Sequence, residues 1–140
     1  MTKKLNCILL IDDNNFTNIF NRRFLSKIDA ADHIHAVKDG REALEYLHHQ
    51  GDYHTNNGKF PKPDMIFLDI NMPIMDGWEF LKEFNNIKHH FEDTVIVMLT
   101  TSPNPDDQKK AQEIMDVHGF YRKPLTRKMV EEIIQKHFNG

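Results

Sequence analysis

The chain's 140 residues can bury one sizeable core but hardly two. Its composition, 39% hydrophobic and 28% charged, is that of an ordinary globular protein and excludes a disordered chain. A formal net charge of −3 argues against a nucleic-acid binder, which gathers Lys and Arg into a patch, and favours a protein partner.

Apolar runs and helix-period segments alternate along the chain. Residues 5–11 read as a strand holding the single cysteine, Cys7, a buried small hydrophobe rather than a reactive thiol. Asn14 or Asn15 then opens a helix marked by Phe16, Ile19, Phe20 and Phe24. Residues 33–37 form the second strand, and Asp39 opens a helix carrying Ala43, Leu44 and Leu47. Residues 50–62 show neither period, contain Asn56-Asn57-Gly58 and Pro61, and read as a long surface loop, a tolerated insertion ahead of a partner contact. The third strand, 64–68, precedes a helix opened by Asp76 with Phe80, Leu81, Phe84 and Ile87; Trp78 at its start reads as a packing residue. Residues 94–99 are the fourth strand, and Asp106 or Asp107 opens a helix with Ala111, Ile114 and Met115. Residues 119–122 and a helix opened by Thr126, with Val130, Ile133, Ile134 and Phe138, complete the series.

Strict alternation implies an α/β fold: a doubly wound five-stranded parallel sheet, (βα)5, because each parallel crossover needs a connecting helix. The flavodoxin-like strand order 2-1-3-4-5 is expected, with one domain over residues 1–140. The longest apolar runs, 7–11 and 95–99, are too short to span a bilayer, and no apolar stretch follows residues 1–4 as a signal peptide requires, so a cytoplasmic protein without membrane contact is expected. The nine histidines lack a ligand pattern with supporting cysteines and read as solvated surface rather than a zinc site.

Polar residues cluster where the strands end: Asp12 and Asp13 after the first, Asp69 after the third, Thr100 after the fourth and Lys123 after the fifth. In open α/β sheets ligands bind at the carboxyl ends of strands where the order reverses, here between strands 1 and 3. Two carboxylates about 4 Å apart repel by about 4 kcal/mol at an effective dielectric of about 20, so a cation belongs among the three. Lys123 offsets part of that charge, and an all-oxygen donor set with room for a phosphoryl oxygen suits Mg²⁺. A carboxylate can act as nucleophile in covalent phosphoryl transfer, although these residues alone do not say which of the three does so.

The acidic pair Asp12-Asp13, the segment from Leu68 through Asp69 to Gly77, Leu99-Thr100 and Lys123-Pro124 resemble the receiver domain of two-component response regulators over nearly the whole chain. The resemblance implies that Asp69 is the phosphoacceptor, that Asp13 binds Mg²⁺ directly and Asp12 largely through water, and that Asn71 adds its backbone carbonyl. It further implies that Thr100 and Lys123 bond phosphoryl oxygens, that Phe120 is the aromatic whose rotation reports phosphorylation, and that Lys123-Pro124 is cis. The partner is then a histidine kinase or phosphotransfer protein, with output through protein contact or a homodimer on the face of the fourth helix, fifth strand and fifth helix. Such a chain is a switch rather than an enzyme. Thr101 departs from the small residue usual there, and the 50–62 segment is longer than in a minimal receiver; with Leu99-Thr100-Thr101-Ser102 it resembles the single-domain regulators of phytochrome-type kinases.

A haloacid-dehalogenase-type phosphatase needs Asp two residues after its first, where this chain has Asn14, and Asp12-Asp13 would repel the phosphate of a flavodoxin-like binder. With the last helix so near residue 140, output through protein contact or a phosphoryl relay is expected, and a DNA-binding or enzymatic output domain is not. The competing expectation is a receiver-like interaction module that is never phosphorylated.

Overall fold

The computed structural model describes residues 3–54, 58–101, 104–114 and 117–138. Its elements in chain order are β1 (Leu5–Ile11), α1 (Asn15–Lys27), β2 (Ala31–Val37), α2 (Gly40–His48), β3 (Met65–Asp69), α3 (Gly77–Phe84), β4 (Val95–Thr100), α4 (Pro105–Glu113), β5 (Val117–Arg122) and α5 (Arg127–Phe138). The five strands pair in parallel in the order β2-β1-β3-β4-β5, as expected.

Alternation along each strand divides the core in two. Leu9, Ile11, Ile66, Leu68, Ile96 and Met98 face α2 and α3, against Ala43, Leu47, Phe80, Leu81 and Phe84. Ile8, Leu10, Met65, Phe67, Val95 and Val97 face the other way, onto Leu25 of α1 and Val130, Ile133 and Ile134 of α5. Both faces are covered, which is why β3 and β4 are buried at every residue and read as unbroken apolar runs.

Helices start where side-chain oxygens satisfy free backbone amides. Asn14 accepts from the Thr17 amide, Asp39 from Glu42, and Thr126 from Met129. Asp76 and Glu79 form a reciprocal capping box on α3. The fourth helix departs from expectation: Asn104 is its cap, with Pro105 following, and Asp106 and Asp107 lie in the first turn, where negative charge suits the helix dipole. It ends at Glu113, so Ile114 caps it rather than belonging to it, and Met115 lies outside the described residues.

Two of the aromatic residues that mark α1 show the helical period but face outward, Phe16 at 83% and Phe20 at 56% exposed, while Phe24 packs against the core. The buried face holds Asn18, Asn21 and Leu25 instead. Asn18 earns its burial by donating to the Asp12 and Val37 carbonyls at the ends of β1 and β2.

The described parts of the 50–62 segment, residues 50–54 and 58–62, are also more ordered than a bare loop. A 3-10 turn spans Gly51–Tyr53, and Tyr53 and Phe60 pack on Tyr46 at ring-centroid distances of 5.2 and 5.8 Å. Three successive carbonyls, of Lys59, Phe60 and Pro61, accept from His35 Nε2 at 3.1 Å, His49 Nε2 at 2.9 Å and Tyr46 Oη at 2.8 Å. The Asn56-Asn57 part of the expected turn lies outside the described residues. These two histidines, and His118, whose Nδ1 accepts the Ile96 amide beside a bulge between β4 and β5, are tied to the backbone rather than merely solvated. Cys7 is fully buried, and burial pushes its thiol up to about 11, as an inert core residue requires. No helix among the described residues is long and apolar enough to cross a membrane.

Candidate functional site

Because β3 lies at the centre of the sheet, with β1 on one side and β4 on the other, the strand ends bring the expected residues to one edge. Asp69 is the last residue of β3 and Thr100 the last of β4; Asp12 and Asp13 follow β1, and Lys123 follows β5. Asp12, Asp13 and Asp69 each offer an oxygen within 4.8 Å of the others. Among the described residues this is the only cluster of three or more His, Cys, Asp or Glu placed to hold a metal.

The three carboxylates are not equivalent. Asp12 is buried, and both its oxygens are engaged: Oδ2 takes Lys123 Nζ at 2.6 Å and Oδ1 the Asn14 amide at 2.9 Å. Asp69 is also buried, with Oδ1 3.3 Å from Lys123 Nζ. Asp13 is exposed at the rim. Burial, and then the Asp12 charge, push the Asp69 carboxyl from 3.8 up to about 6, with Asp13 adding to the rise and Lys123 opposing it. Burial works to lower the Lys123 ammonium, but its bonds and charge interactions with Asp12 and Asp69 outweigh that and hold it above its ordinary value.

Three carboxylates against one lysine leave an excess of negative charge in an all-oxygen site, and that donor set fits a hard divalent cation. Asn71 is exposed two residues beyond Asp69. Phe120 lies on β5 opposite Met98 of β4, half-buried against the core, and the Lys123 amide donates to the Thr100 carbonyl at 2.8 Å. The Lys123-Pro124 bond is cis. Thr101 is exposed, and Ser102 lies outside the described residues.

Two features of the loop after Asp69 escaped sequence reasoning. Ile74 adopts φ +67° while 72% exposed, in a three-residue turn closed by the Met75 amide on the Pro73 carbonyl at 2.7 Å. A β-branched residue there costs of order 1–3 kcal/mol, a strain of the kind that gathers at functional loops. Gly77 lets α3 start directly against the end of β3: its amide bonds the Ile70 carbonyl at 2.8 Å, and an added Cβ would lie 2.7 Å from the Asp69 carbonyl oxygen. Gly77→Ala is therefore expected to destabilise the chain by about 1–3 kcal/mol in urea unfolding, the usual scale of overpacking against atoms that cannot yield. An unchanged midpoint would mean that the loop gives way freely.

The model of the family "Response regulator receiver domain" matches residues 8–135. The response regulator Rcp1 of Synechocystis is 33% identical over 129 residues, covering 91% of this chain and 83% of Rcp1. A two-component response regulator from Cytophaga hutchinsonii superposes with a TM-score of 0.85 at 29% identity, covering 99% of this chain and all of the other. The phosphorylated cyanobacterial phytochrome response regulator RcpA superposes with a TM-score of 0.71 at 28% identity, covering 94% and 90%. With a matching family model over most of its length and a five-stranded fold that carries three aspartates and a lysine at one edge, this chain belongs to the response regulator receiver family.

Proposed function

We propose that the chain is a phosphoacceptor switch that takes a phosphoryl group onto Asp69 from a phosphohistidine on a histidine kinase or phosphotransfer protein. The observation that carries this reading is the inequality of the three carboxylates: Asp12 is occupied by Lys123, Asp13 faces outward, and Asp69 is a buried carboxylate poised near 6. At neutral pH Asp69 is ionised and less stabilised than a solvated carboxylate, which suits a nucleophile. A carboxylate oxygen forms the new bond to phosphorus as the phosphorus–nitrogen bond breaks, and the imidazole nitrogen keeps the electron pair. Lys123, already 3.3 Å from Asp69, and the Thr100 hydroxyl would meet the phosphoryl oxygens. Asp13 and Asp69, with the Asn71 carbonyl and water-mediated help from Asp12, would hold Mg²⁺, which when bound supplies positive charge to those oxygens.

The outward Phe16 and Phe20, within two turns of Asp13, give a protein donor an apolar surface beside the acidic pocket. Output is assigned to the face of α4, β5 and α5, as a contact with a target or with a second copy, because Thr100 leads toward α4 and Phe120 lies on β5. The reading places the chain in the cytoplasm with its donor, as a switch without turnover of a free substrate. Its test is incubation of the pure chain with acetyl phosphate, with and without Mg²⁺, and mapping of the modified residue by mass spectrometry. Asp13→Ala is expected to raise the Mg²⁺ concentration needed at least tenfold while leaving metal-free stability equal or higher, since it removes one of three clustered like charges. A clear loss of metal-free stability in that variant would contradict the repelling-cluster account.

A further inference from the structure

Helix α4 is the least anchored of the helices. Of its nine residues only Ala111 is buried, whereas the eight of α3 bury Gly77, Phe80, Leu81 and Phe84, and α5 buries Val130, Ile133 and Ile134. A helix held by one methyl group has little apolar burial to oppose its opening. Its lateral contact with α3 is made by a charge: Lys110 Nζ lies 4.5 Å from the centre of the Trp78 ring. Around that contact Trp78, Leu81, Lys82, Asn85, Lys110 and Ile114 line a cleft of about 440 Å³ between the two helices.

The two sides of the contact lead back to the acidic site by different routes. Trp78, half-buried against the core, follows Gly77, whose amide is bound to the residue after Asp69. Lys110 lies on the helix that follows β4 and its terminal Thr100. A shift of Thr100 or of the Asp69–Gly77 loop would therefore move one partner of the pair relative to the other.

We propose that Lys110 on Trp78 is a tie that holds α4 in its resting place against α3, and that a charge change at Asp69 acts on α4 by releasing it. Lys110 is a positioning residue in this account: it touches no reacting atom and sets how often α4 opens. The release half rests on the phosphoacceptor reading above; the tie itself does not. A contact of this class at an exposed site corresponds to a factor of about two to five in an opening equilibrium.

The test is amide hydrogen exchange of the full, unmodified chain beside three variants. Lys110→Met keeps the stem and removes the charge, Lys110→Arg keeps a cation that stacks on indole, and Lys109→Met removes the neighbouring charge. The amides of residues 108–113 should exchange about two- to fivefold faster in Lys110→Met and at the parent rate in the other two, with β1 and β3 unchanged in all. Parent-like exchange in Lys110→Met, or equal acceleration in Lys109→Met, overturns the tie. On labelling Asp69 with acetyl phosphate and Mg²⁺, emission from Trp78, the one tryptophan, should change in the parent chain and in Lys110→Arg but not in Lys110→Met. A labelled parent chain with unchanged emission overturns the release step and leaves the tie. A chain that takes no label overturns the phosphoacceptor reading, and the release step falls with it.

Discussion

Asp69→Asn is expected to take no phosphoryl group from acetyl phosphate in the presence of Mg²⁺, and to melt above the parent chain when metal is withheld. The first result follows from loss of the nucleophile, since an amide nitrogen or oxygen does not form the acyl phosphate. The second follows from the raised carboxyl. Between 3.8 and about 6 the folded chain holds a proton at Asp69 that the unfolded chain has released, so this group's contribution to stability is greatest below pH 4 and drains away as the pH rises to about 6. At pH 7.5 the ionised carboxylate costs the fold up to about 3 kcal/mol. The neutral amide escapes that cost, less whatever its bond to Lys123 contributes. Labelling of Asp69→Asn at the parent rate would remove the phosphoacceptor assignment, and a lower melting temperature at pH 7.5 would show that the carboxylate is held comfortably after all.

Removal of the cation should do the opposite. Lys123→Met leaves Asp12 and Asp69 buried with their shared partner gone, and breaking a buried pair from one side costs about 3 kcal/mol or more. The loss should be read by urea unfolding at pH 7.5 and should shrink at pH 5, where Asp69 is mostly protonated and needs the ammonium less. Because Lys123 pulls the Asp69 carboxyl down, its removal lets that carboxyl climb above about 6, and the pH at which metal-dependent labelling falls by half should climb with it. An equal stability loss at both pH values would assign the effect to packing of the lysine stem rather than to its charge.

The strands and the polar residues at their ends were legible because they rest on signals local in sequence, whereas the strand order followed from the rule for alternating α/β chains. Runs such as Val95 to Leu99 mark buried parallel strands, each followed by a polar residue that strand burial alone cannot explain. The outward turn of Phe16 and Phe20 was not legible, since period identifies a helix but not which face meets the core once an asparagine such as Asn18 is spent on strand-end carbonyls. Nor were the bonds of His35, His49 and Tyr46 to three successive carbonyls, because partners 11 to 24 residues apart leave no periodic trace. Asn104 lost to Asp106 and Asp107 in the reading of α4 because all three are good caps, and only the position of Pro105 as the first helical residue separates them.

The ion pair between Lys123 and Asp12 joins residues 111 apart in sequence, so it exists only once distant parts of the chain have come together. A ribosome releases Asp12, Asp13 and Asp69 long before Lys123, and β5 must dock on the far edge of the sheet before its lysine reaches the aspartates. A chain in which β5 has not docked thus holds its aspartates without their counter-charge. Assembly of the acidic edge with its counter-charge is in this way conditional on complete folding, because it needs pairing across the whole sheet.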